Sequence, residues 1–213
     1  ARLALCHGWA LTKASARHGA EKSYHNDTVI VVCSVVSLTG IVPRVTTPDH
    51  EPDPWAMQLV LLRDKHHPVR LVDACEAAAR AVVFLLDDPR TQPGGPWHDA
   101  VRQWSNKRIR KIVRRASGKR WDDVQVLDGV TISQDPPPYA SPETGPARVR
   151  AFVPAPVHPQ PKQIDKLQVA GTNLPADGDS ATTEPVVTIE INPRIEMTTG
   201  KACAQCGLSL IHI

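Results

Sequence analysis

The feature that most constrains this chain is a helical repeat of apolar residues. Leu71, Ala74, Cys75, Ala78, Ala81, Val82 and Leu85 recur in steps of three and four. That spacing gathers apolar side chains on one face of an α-helix. A helix with one apolar face needs a surface to cover. Met57 to Leu62, an apolar run of strand length just upstream, supplies one. Asp87, Asp88 and Pro89 stop the helix, since proline cannot continue the hydrogen-bond ladder.

Further elements follow at short intervals. Pro93-Gly94-Gly95-Pro96 is a turn, and Pro96 suits the first position of a short helix carrying Trp97, Ala100, Val101 and Trp104 on one side. Arg108 to Arg115 reads as a strand. Val124–Leu127 and Val130–Ile132 flank an Asp128-Gly129 turn, Pro136 to Gly145 is a loop, and Arg148 to Val153 is another strand. Pro161 to Val169 reads as a short helix. Residues 175–185 have no large apolar side chain and read as a linker. Val187, Ile189 and Ile191 then alternate with Val186, Thr188 and Glu190 as a strand, Asn192-Pro193 ends it, and a helix opens near Met197. The order is that of an α/β chain with a mixed sheet.

Charge distribution narrows the partners more than net charge does. Residues 107–120 hold Lys107, Arg108, Arg110, Lys111, Arg114, Arg115, Lys119 and Arg120 with no acidic residue, whereas the whole chain is only +3. Such a block suits a polyanion such as RNA, or else a solvated basic face. The apolar run Val29 to Leu38 is too short to span a bilayer, and no signal-peptide cleavage site follows it. Cys6, Cys33, Cys75, Cys203 and Cys206 form no disulfide framework, which points to a reducing, cytoplasmic setting.

Both ends read as foreign to the natural protein. No Met precedes Met57, and residues 1–44 lack periodicity, so Val45 is a candidate start encoded by GTG. On this reading 1–44 is a non-native or disordered extension; the alternative is a genuine extension with one strand at 29–36. At the other end, Leu208, Ser209, Leu210, Ile211, His212 and Ile213 match CTG TCT CTT ATA CAC ATC, the mosaic end of transposase-made sequencing libraries. Residues 208–213 are therefore expected to be adapter read-through.

Gly200-Lys201 at a helix start is an anion site in physical terms, because backbone N–H groups, the helix dipole and an ammonium converge there. It is not a phosphate-binding P-loop: Ile195 stands where that pattern needs glycine, and no Ser or Thr follows Lys201. Together with the preceding strand, the run Met197-x-x-Gly200-Lys201-x-x-Ala204-Gln205-Cys206 resembles the N-terminal signature of type-2 peptidyl-tRNA hydrolases. That family shows a strand, then Met-x-x-Gly-Lys-x-Ala-Ala-Gln-x-x-His-Ala on its first helix. The resemblance implies catalytic roles for Lys201 and Gln205, anion binding at Gly200 and Lys201, and peptidyl-tRNA as the partner. It implies no cofactor and no metal. Thr199 stands where many members have another lysine, Cys203 replaces an alanine, and Leu208 falls where the family has histidine. The implied activity is hydrolysis of the ester between peptide and tRNA; the family's later acidic residue is absent, so this fragment is expected to be inactive.

A gapless offset of 129 residues superposes the first strand and helix on the second: Leu62 meets Ile191, Ala74 meets Cys203, and Cys75 meets Ala204. Val72 and Glu76 then stand in the places of Lys201 and Gln205. The later elements of 45–174 also resemble the family's order, which closes with a strand, a Gly-Pro-Gly-Pro-like turn and a helix. Residues 45–174 thus read either as a degenerate copy that lost its chemistry or as an unrelated α/β domain. The expected organisation is an α/β N-terminal domain at 45–174, a linker at 175–185, and the first strand and helix start of a peptidyl-tRNA hydrolase domain at 186–207. Lys107, Arg108, Arg110, Lys111, Arg114 and Arg115 are the nucleic-acid-binding candidates. The competing reading is a non-catalytic RNA-binding or scaffold protein. Cys203-x-x-Cys206 lacks the second pair of a zinc site, and His66-His67 lacks a partner ligand, so neither predicts a metal centre.

Overall fold

A computed structural model describes residues 54–107, 109–176, 178–180, 189, 191 and 195–209. The elements are β1 (Trp55–Leu62), α1 (Leu71–Leu86), α2 (His98–Ser105), β2 (Lys111–Ala116), α3 (Lys119–Val124), β3 (Gly129–Gln134), β4 (Ala147–Phe152), β5 (Ala155–Pro156), α4 (Lys162–Asp165) and α5 (Thr199–Ser209). The strands form one mixed sheet in the order β2-β1-β4-β3, with β5 extending along β1. β1 runs parallel to β2, pairing Met57 with Lys111 and Leu62 with Ala116; β4 is antiparallel to both β1 and β3. The expected mixed-sheet α/β class is what the chain adopts.

β1 is buried on both faces, which explains its continuous apolar run instead of an alternation. Met57, Leu59 and Leu61 face the larger cluster with α1 and α5; Val60 faces Trp121, Val124, Phe152, Ile164 and Leu167 from α3, β4, α4 and the segment just after it. The face of α1 that meets the sheet and α5 is made of small residues, with Ala74, Ala77, Ala78, Ala81 and Val82 all at 1% exposure or less. Small side chains let backbones approach closely, so a short sheet can be covered by two helices side by side. α5 answers with Ala202, Cys203, Cys206 and Gly207, and a Cβ on Gly207 would already lie 3.1 Å from Val82.

Several expectations are refined. Of the two runs beside Asp128-Gly129, only the second is a strand. Val124 ends α3, and Val126 is 76% exposed, because the register that buries Trp121 and Val124 turns Val126 outward. Gly129 sits against β4, where a Cβ would fall 2.2 Å from the Ala151 carbonyl oxygen; only glycine permits that approach. The helix expected over 161–169 is one turn, Lys162–Asp165. The segment read as a linker is docked at its start: Leu71 N–H donates to the Pro175 carbonyl, and Arg70 and the Tyr139 hydroxyl donate to that of Asp179. The Arg70 side chain makes no capping bond to the α1 backbone, so the Pro175 carbonyl takes up an N–H that the helix leaves open.

Among the described residues, α5 joins the core of α1 and the sheet. It packs on α1 and β2 within the same cluster, with Ile189 and Ile191 against it. The strand expected at 186–191 otherwise lies outside the described residues, as do 1–53, with the candidate start Val45, and 210–213. Leu208 and Ser209 complete α5. No helix among the described residues is long and apolar enough to cross a membrane.

Candidate functional site

The basic stretch is divided by the pleat of β2. Alternate side chains of a strand point to opposite faces, so Lys111, Val113 and Arg115 turn toward the α1–α5 side, and Ile112, Arg114 and Ala116 toward α3 and α4. Arg114 is held at three points: Nε donates to Gln58, Nη1 to the Leu167 carbonyl at 2.9 Å, and Nη2 to Gln160 at 2.9 Å. Arg115 donates to the Gln168 side chain and the Gly171 carbonyl, fastening the 168–171 segment to the sheet. Both guanidiniums are thus engaged by the fold.

Lys111 departs furthest from a surface cation. Its Nζ is sealed from solvent, has no hydrogen-bond partner among the described residues, and lies 5.3 Å from the centre of the Trp104 ring. Burial disfavours the charged amine and pushes its pKa down to about 7. Lys107, Lys119 and Arg120 are exposed, Arg110 is half-buried, and Arg108 lies outside the described residues. The Arg110 carbonyl accepts from Met57 N and from the Trp104 indole at 3.0 Å. Trp97, Trp104 and Trp121 are all buried anchors, Trp97 under the Arg90 guanidinium at 3.6 Å.

The Gly-Lys motif opens α5 as expected. Lys201 and Gln205, one turn apart, are both exposed on its outer face, while Ala202, Cys203 and Cys206 face the core. A four-residue spacing puts two side chains on one face. Lys201 forms no ion pair among the described residues. Gly200 lies 3.8 Å, measured from an ideal Cβ, from Val113 of β2. Thr199 is buried, its hydroxyl accepting from Leu174 N at 2.9 Å. It therefore fixes the approach to the helix. The cavity bounded by Gly200, Thr198, Arg115 and Gly171 is about 10 Å³, room for a single water and not for a phosphate. An anion at this helix start would have to sit outside, beside Lys201.

The cysteines of α5 meet one from α1. Cys75 Sγ lies 4.0 Å from Cys203 Sγ, and both sit with Cys206 in the apolar seam. Hydrogen bonding between the thiols, together with burial, raises the pKa values of Cys75 and Cys206. No group of three or more metal-ligating side chains gathers among the described residues.

One juxtaposition was not legible in sequence spacing. The polar turn after β1 (Arg63 to His66) lies beside the Ser117-Gly118 corner after β2, because the strands are parallel neighbours. Comparison with known proteins brings no match: no family model, no curated protein and no solved structure is significantly similar to the chain.

Proposed function

We propose that this chain belongs to a cytoplasmic peptidyl-tRNA hydrolase of the type-2 kind, with the reaction carried at the start of α5. The observation that carries the reading is the exposed Lys201–Gln205 pair, one turn apart behind Gly200, on a helix whose opposite face is packed. Hydrolysis of the ester linking peptide to tRNA passes through a tetrahedral oxyanion. A lysine ammonium and a side-chain amide at a helix start are suited to stabilise that charge and to orient a water. The ordered elements of the first unit are consistent with a diverged copy: α1 starts at Leu71 and α5 at Thr199, within one residue of the offset of the repeat. The paired positions Ala74 and Cys203, Ala77 and Cys206, and Ala78 and Gly207 are all buried. In that register α1 carries Val72 and Glu76 where α5 carries Lys201 and Gln205, so the first unit keeps the packing without the chemistry.

The test is turnover of labelled peptidyl-tRNA by the product of the complete reading frame. Release of free tRNA, with intact aminoacyl-tRNA spared, supports the reading. RNA binding without any ester cleavage favours the non-catalytic RNA-binding alternative.

A further inference from the structure

The parallel pair at the β2 edge of the sheet, β1 and β2, sends the chain to opposite faces. After β1 it passes to α1 on one face of the sheet; after β2 it passes to α3 on the other. Where adjacent parallel strands diverge in this way, a crevice opens outside their carboxyl ends, and open α/β sheets bind ligands there. The crevice is present, with a volume of about 510 Å³, within the range that holds a small organic ligand.

Its walls carry separated charges. Arg63 and Lys65 are exposed on the β1 side and make no ion pair or side-chain hydrogen bond among the described residues. Their neighbour Asp64 is already occupied: it accepts from His66 N at 2.8 Å and from His67 Nδ1 at 3.2 Å. On the β2 side stand the Ser117 hydroxyl, the Trp121 ring and the Asp122 carboxylate, which forms no ion pair among the described residues. Between them lies Gly118 at φ +50°, and a Cβ built there meets nothing within 4 Å, so the opening stays clear. Cations on the β1 side and, on the β2 side, a carboxylate acceptor beside the largely buried Trp121 ring define the ligand. It needs an anionic group, a planar body, and N–H donors remote from the anion.

We propose that this crevice binds a purine nucleoside 5′-monophosphate unit, with the phosphate on Arg63 and Lys65 and the base amino edge directed to Asp122. The site rests on the sheet topology and its lining side chains, independently of the α5 motif. The unit has two sources, a free nucleotide or the phosphorylated end of an RNA strand.

The experiment is calorimetric titration of the full chain with GMP, guanosine, inorganic phosphate and the 5′-phosphorylated diribonucleotide pGpA. The expected result is saturable binding of GMP at least tenfold tighter than guanosine or phosphate alone. Arg63→Gln with Lys65→Gln should weaken GMP at least tenfold, and Asp122→Ala should reduce the advantage of GMP over phosphate. All three side chains are exposed, so thermal melts of these variants should match the parent. Tighter binding of pGpA assigns the site to an RNA end, and tighter binding of GMP to a free nucleotide. GMP that binds no better than inorganic phosphate, or equally well to the double variant, overturns the proposal.

Discussion

Lys111 shows how far a residue's setting can depart from its type. In a basic stretch it reads as a phosphate contact; on β2 its amine is enclosed beside Trp104. Its folded pKa of about 7 lies below the usual 10.5, so between those values the unfolded chain holds a proton that the folded chain does not. Stability should therefore rise from pH 7 to 10.5 and be least below pH 7. Lys111→Met should remove that rise and add on the order of a few kcal/mol near neutrality; urea melts across pH 6 to 10 measure both. Arg70 and Asp73 are the opposite case, a buried pair with two hydrogen bonds, at 2.8 and 2.6 Å, and no exposure at Asp73. Arg70→Ala should cost about 3–5 kcal/mol, because it strands a buried carboxylate, and Arg70→Met with Asp73→Leu should recover much of it. The thiols of Cys75, Cys203 and Cys206 should resist a thiol reagent in the native state and react once urea unfolds the chain, as peptide mapping would show.

Among elements, β2 and α5 separate what periodicity reveals from what it hides. α1 was readable because its apolar steps and its Asp-Asp-Pro stop agree, and α5 because Gly200-Lys201 marks a helix start. The division of Lys111, Arg114 and Arg115 between two faces was not readable, since it depends on which side chains β2 meets across the sheet. Arg114→Ala should lower stability by about 1–3 kcal/mol through three lost hydrogen bonds. Among the described residues of the stretch, Lys107, Arg110, Lys119 and Arg120 are the ones left to contact RNA. Replacing each with alanine should then flatten the slope of log K against log salt by about one unit. A salt slope carried instead by Arg114 or Arg115 would contradict their engagement in the fold.

For the whole molecule, sequence order set the α/β class, but strand order and the shared core of α1 and α5 come from pairings between distant residues. Composition made 175–185 a linker, yet backbone carbonyls in its first part, invisible to composition, tie it to α1 and Tyr139. The candidate site was legible where a short motif carries it, at Gly200, Lys201 and Gln205, and illegible at the β1–β2 crevice, which exists only once the strands pair. The central claim is that two matching helices share a packing pattern and only the second carries chemistry. Its most direct test is kcat/KM on peptidyl-tRNA for Lys201→Ala and Val72→Ala variants of the complete protein. A loss of about 10²- to 10³-fold for Lys201→Ala, with Val72→Ala near the parent, is the predicted result; full activity without Lys201 would contradict it.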